Sequence, residues 1–154
     1  MAHCRAVGDG DDGFQTKHTS HIVHLVAVTS PKPYKTYLVE DNPVIRENLV
    51  GFLEDVADTT VVAHASGEQE AVRWLDGHRD EWDMAIVDLF LQEGNGFGVV
   101  DACRNRAAHQ KVVVLSNYAT ADMRERSRAL GADAFFDKSA EIDQLLEYFE
   151  HAHR

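Results

Sequence analysis

Four places in this 154-residue sequence carry side chains able to do chemistry, and each stands where a short apolar run stops. Glu40 and Asp41 follow KTYLV, Asp88 closes MAIVD, Ser116 closes KVVVLS, and Lys138 follows AFFD. Short runs rich in β-branched residues read as strands covered on both faces. Open α/β sheets bind ligands beyond the carboxyl ends of such strands. Taken alone, Asp88 is either a cap that follows a strand or a working carboxylate. Three carboxylates meeting in one crevice repel, and one takes up a proton unless a cation holds them together. A hard divalent ion with oxygen ligands, and room left for water and phosphate oxygens, answers that need and points to Mg²⁺. Lys138 adds a second, fixed positive charge.

The elements that must bring these ends together alternate along the chain from Lys35. Strands are expected at 35–40, 59–65, 84–88, 111–116 and 134–137. Asn42 caps the first helix, with Pro43 at its first position and Ile45, Leu49, Phe52, Leu53 and Val56 on one face. Ser66 and Gln69 have the spacing of a capping box for a helix that buries Ala71, Val72 and Leu75. Val99, Val100 and Cys103 mark a third helix. Thr120 opens a fourth that ends at Gly131, with Arg124, Arg126 and Arg128 as a solvated face. Ser139 opens a last helix that buries Ile142, Leu145, Leu146 and Phe149. Five βα units imply one parallel sheet with helices on both faces, which assigns residues 34–154 to one domain.

Residues 1–33 show no sustained period and read as a flexible N-terminal extension ending in SPKP. His18, His21 and His24 lie in it without helix-like flanks, so a metal site is not expected there. GDGDDG has the start of a calcium loop, but Ser20 stands where the closing Glu is needed. Its charges balance, Asp9, Asp11 and Asp12 against Arg5, Lys17 and Lys32, so the net charge of −11 belongs to the remainder. A domain that acidic lacks the basic footprint of a nucleic-acid binder, and direct DNA binding is not expected. No run reaches the length of a membrane span, and HIVHLVAV is interrupted by histidine with no basic cluster before it. The two cysteines, Cys4 and Cys103, lie far apart, and the reading is a cytoplasmic protein.

In order and spacing, LVEDNP, IVDLFL, VVVLSN and FFDKS resemble the receiver domain of two-component response regulators over residues 34–152. The resemblance implies a flavodoxin-like (βα)5 fold with strand order 2-1-3-4-5. It implies that Asp88 accepts a phosphoryl group from a histidine kinase or a histidine phosphotransfer protein. Glu40 and Asp41 would be the acidic pair around Mg²⁺, with Asp88 and the carbonyl of Phe90 as further ligands. Ser116 and Lys138 would grip the phosphoryl oxygens, and Phe135 would be the switch aromatic. By the same resemblance the chain catalyses only its own phosphorylation and slow dephosphorylation. The fourth helix, fifth strand and fifth helix would form the face for a downstream protein.

The sequence departs from the family at Ser139, where proline is usual, and carries bulky Phe90 and Tyr118 two residues past Asp88 and Ser116. A haloacid-dehalogenase-type phosphatase needs a second Asp where Phe90 stands, and EDNP would repel a flavin phosphate. The alternative that survives is a receiver fold kept as a non-phosphorylated protein-binding module. No output domain is recognised after the fifth helix, so a stand-alone, single-domain regulator is the expectation.

Overall fold

The computed structural model describes residues 33–153. The N-terminal extension, with Cys4, its histidines and GDGDDG, lies outside the described residues. The chain forms β1 (Tyr34–Val39), α1 (Pro43–Val56), β2 (Thr59–Ala65), α2 (Glu68–Gly77), β3 (Met84–Val87), α3 (Gly96–Ala102), β4 (Lys111–Ser116), α4 (Ala121–Ala129), β5 (Ala134–Asp137) and α5 (Ile142–His153). All neighbouring strands pair in parallel, in the order β2-β1-β3-β4-β5. The alternation of runs implies the parallel sheet, and the flavodoxin-like strand order is the one the receiver resemblance implies.

Period-two alternation in the central strands builds two cores. Tyr37, Val39, Ala85, Val87, Val112 and Val114 face α2 and α3, where Ala71, Leu75, Val99 and Val100 meet them. Leu38, Met84, Ile86, Val113 and Leu115 face the other way, against Leu53 of α1 and Leu145 and Phe149 of α5. Because both faces are covered, no residue of β3 reaches solvent, and its carboxylate, Asp88, stands just past the strand end. Among the described residues, no helix is long and apolar enough to cross a membrane.

Several helix ends follow local chemistry. Asn42 Oδ1 accepts from the Val44 and Ile45 N–H groups, with Pro43 at the start of α1. Thr120 Oγ1 accepts from the Met123 N–H, and α4 stops before Gly131 at φ +110°. Two ends do not. The Ser66–Gln69 capping box is absent: the Gly67 position precedes α2, the Ser66 N–H donates to Glu70, and the Gln69 N–H donates to Glu93 Oε1. A carboxylate from a distant loop takes the role expected of a serine. Ser139 does not open α5 either, because its N–H and hydroxyl both bond Asp137 Oδ1 and close a turn three residues before Ile142. The Lys138–Ser139 peptide in that turn is trans. Val56 is exposed, and Leu53 is the buried anchor of α1.

Candidate functional site

The parallel ladder runs on past the ends of β1 and β3. The Glu40 N–H donates to the Ala65 carbonyl and the Asp88 N–H to the Val39 carbonyl, each at 3.0 Å. These bonds fix both carboxylates at the mouth of a crevice of about 330 Å³ that also reaches Asp41, Phe90, Gln92 and Lys138. Lys138 follows β5, and its N–H donates to the Ser116 carbonyl, which aims the side chain back across the sheet. Its Nζ donates to Glu40 Oε1 at 2.6 Å and to Asp88 Oδ2 at 3.0 Å.

Backbone donors orient the remaining oxygens. The Asn42 N–H donates to Glu40 Oε2, the Phe90 N–H to Asp88 Oδ1, and the Gln92 N–H to Asp41 Oδ2. The loop that carries Phe90 and Gln92 folds tightly under Asp88. The Gly96 N–H returns to the Leu89 carbonyl at 2.9 Å, and Gly94 takes φ +76°. A Cβ at Gly96 would collide with the Asp88 carbonyl oxygen. The glycines of QEGNG are therefore what lets this loop pass beneath the carboxylate.

Burial is the main influence on Glu40 and pushes its carboxyl above the usual range, reinforced by the Asp88 charge and opposed by Lys138 and the Asn42 N–H. Burial also works against the Lys138 charge, but the Glu40 hydrogen bond and the Asp88 and Glu40 charges outweigh it, and its pKa is raised. One oxygen each from Glu40, Asp41 and Asp88 lies within 4.8 Å of the others. When all ionise, three carboxylates face one ammonium, which leaves two negative charges uncompensated in a mostly buried place. Hard oxygen donors with that deficit fit a divalent cation such as Mg²⁺.

Of the residues singled out in the sequence, Glu40, Asp41, Asp88 and Lys138 come together. Phe90 joins them through its N–H, while its ring stands at the rim, edge-on to Tyr118 with centroids 4.7 Å apart. Both rings are open to solvent, at 48% and 60% exposure. Ser116, whose carbonyl accepts from the Lys138 N–H, is buried, and its hydroxyl accepts from the Tyr118 N–H at 3.1 Å. Phe135 is further off, half-buried against α4. Asn42 and Gln92 belong to the site and were not singled out. Asn42 was visible only as a cap, and a backbone donor such as the Gln92 N–H carries no signature in the sequence. The arginines of α4 are not a purely solvated face, because Arg124 lies over the Phe135 ring at 5.0 Å and Arg126 over Phe97 at 4.2 Å.

Residues 37–150 match the family model of the response regulator receiver domain. The transcriptional regulatory protein CiaR of Streptococcus pneumoniae is 29% identical over 111 residues, covering 72% of this chain and 47% of that protein. The transcriptional regulatory protein PdtaR of Mycobacterium tuberculosis is 30% identical over 120 residues, 77% of this chain and 56% of that protein. The chain spans about half the length of these curated relatives. A crystal structure of a Burkholderia pseudomallei response regulator, with a phosphorylated aspartic acid, calcium ion and citrate, has a TM-score of 0.63 at 22% identity. The alignment covers 79% of this chain and 66% of that one, and shows a shared fold.

Proposed function

Because the chain belongs to the family of response regulator receiver domains, we propose that it accepts a phosphoryl group on Asp88 from a histidine kinase or a histidine phosphotransfer protein. One observation carries this reading: a single ammonium, Lys138 Nζ, is shared between Glu40 and Asp88 within the acidic cluster that includes Asp41. Mg²⁺ held by Glu40, Asp41, Asp88 and the Phe90 carbonyl would supply positive charge to the phosphoryl oxygens.

In the transfer, an Asp88 carboxylate oxygen forms a bond to phosphorus as the phosphorus–nitrogen bond of phosphohistidine breaks. The electron pair returns to the imidazole. Little covalent work falls to the protein beyond positioning and cancelling charge. The Phe90 N–H and Lys138 orient the two Asp88 oxygens before attack. Lys138 then trades its bond to Glu40 for one to a phosphoryl oxygen, and the Ser116 hydroxyl turns from the Tyr118 N–H to donate to another. We read the chain as a receiver that modifies only itself. Its signal passes to a protein target through α4, β5 and α5, and its acidic surface speaks against direct contact with DNA.

Incubation with acetyl phosphate and Mg²⁺ should add one phosphoryl group to the wild-type chain by mass, and chelation of the metal should prevent it. Asp41→Ala should raise the Mg²⁺ concentration required, since it removes a charged oxygen ligand. Phosphorylation of Asp88→Asn at the wild-type level would falsify the assignment, because an amide nitrogen cannot replace the nucleophilic oxygen.

A further inference from the structure

At the edge of the sheet, one ion pair occupies both the backbone of β5 and the aromatic side chain set on it. Arg124 Nη2 donates to Glu141 Oε1 at 2.8 Å, and Nη1 of the same guanidinium donates to the Phe135 carbonyl at 3.3 Å while the cation lies over the Phe135 ring. Glu141 Oε1 also accepts from the Asp137 N–H at 2.8 Å. Asp137 is the residue before Lys138, whose ammonium bridges Glu40 and Asp88. A continuous set of bonds therefore runs from the carboxylate crevice through the β5–α5 turn to α4. It ends on an aromatic ring.

We propose that the Arg124–Glu141 pair is a clasp that favours the unphosphorylated arrangement and opens when Asp88 is phosphorylated. The inference rests on the phospho-acceptor reading and adds a regulatory element to it. A dianion on Asp88 draws Lys138 away from Glu40, and the turn that follows β5 must shift with it. Glu141, tied to the Asp137 N–H, resists that shift, and Arg124 resists any change of the Phe135 ring. The pair is half-exposed, so breaking it is cheap enough for a local event to achieve. Its opening frees the outward carbonyl of Phe135 and N–H of Asp137, which changes the face between α4 and α5. A clasp that holds one state lowers the affinity for any ligand of the other, so removing it must tighten binding.

The test is calorimetric titration of beryllofluoride with Mg²⁺ into the full chain, for wild type, Arg124→Gln, Glu141→Gln and the double variant. Glu125→Gln, which removes a partner of Arg128 on the exposed side of the same helix, serves as the control. The clasp predicts roughly two- to fivefold tighter binding in each single clasp variant, no further gain in the double variant, and no change in the control. Unchanged or weaker binding in both single variants, with wild type binding normally, overturns the clasp and leaves the phospho-acceptor reading standing. A wild-type chain that takes up no beryllofluoride overturns that reading, and the clasp falls with it. A merely structural pair would lower the melting temperature of the variants without tightening the ligand.

Discussion

Lys138 and Arg124 are both cations set beside carboxylates, and they differ in how much water they keep. The Lys138 side chain is 11% exposed between Glu40 and Asp88, whereas that of Arg124 is 39% exposed against Glu141. In the crevice Lys138, Glu40 and Asp88 are mostly withdrawn from water, so each charge depends chiefly on its partners and removing one strands the others. At the sheet edge, water compensates for a lost partner. The lesson is a division of labour. The buried cluster is too costly to rearrange without a new charge arriving, which suits a site that holds a phosphoryl group. The edge pair is cheap to open, which suits a relay.

That contrast can be broken most directly at Lys138. Lys138→Met leaves Glu40 and Asp88 facing each other without a cation, and urea unfolding should report a loss of about 3–5 kcal/mol, as for other buried pairs stripped of one partner. Adding Mg²⁺ should restore part of it. A loss below about 1 kcal/mol would mean that the crevice is wetter than its burial implies.

The pH dependence should then differ in sign between the two regions. Glu40 is held above its ordinary value of 4.5, so in metal-free buffer its contribution to stability is full below that pH and is lost as pH rises through the folded value. Glu141 is held below its ordinary value, chiefly by the Arg124 hydrogen bond, so its contribution is present above pH 4.5 and is lost as pH falls through its folded value. Glu40→Gln should remove the fall on the rising side, and Glu141→Gln should flatten the acid limb. Slopes of the same sign in both variants would erase the distinction. The smallest effect is expected at the edge, where Arg124→Met should cost no more than about 1 kcal/mol in unfolding free energy. A much larger cost would mark the pair as a structural brace.

The sequence made the crevice legible because its residues sit where apolar runs stop, and a parallel sheet brings those stops together. Glu40, Asp41, Asp88 and Lys138 were found that way, the five strands from the runs themselves, and the Asn42 and Thr120 caps from the residue types that start helices. What stayed hidden depends on partners far along the chain. The start of α2 is bonded by Glu93 rather than by Ser66, and Ser139 turns back to Asp137 instead of capping α5. Arg124 looked like one of three solvent-facing arginines, since nothing local signals that Phe135 and Glu141 fold against it. The Ser116 hydroxyl illustrates a further limit: its position in the chain was legible, but its orientation toward the Tyr118 N–H was not.

The central claim is that the carboxylate at Asp88 becomes an acyl phosphate. Borohydride reduces an acyl phosphate to an alcohol, so treatment of the phosphorylated chain followed by peptide mass mapping locates the modified side chain. The account predicts homoserine at position 88 after incubation with acetyl phosphate and Mg²⁺, and none in the Asp88→Asn chain. Homoserine at another aspartate, or a phosphorylated chain with no reducible residue at 88, would contradict it.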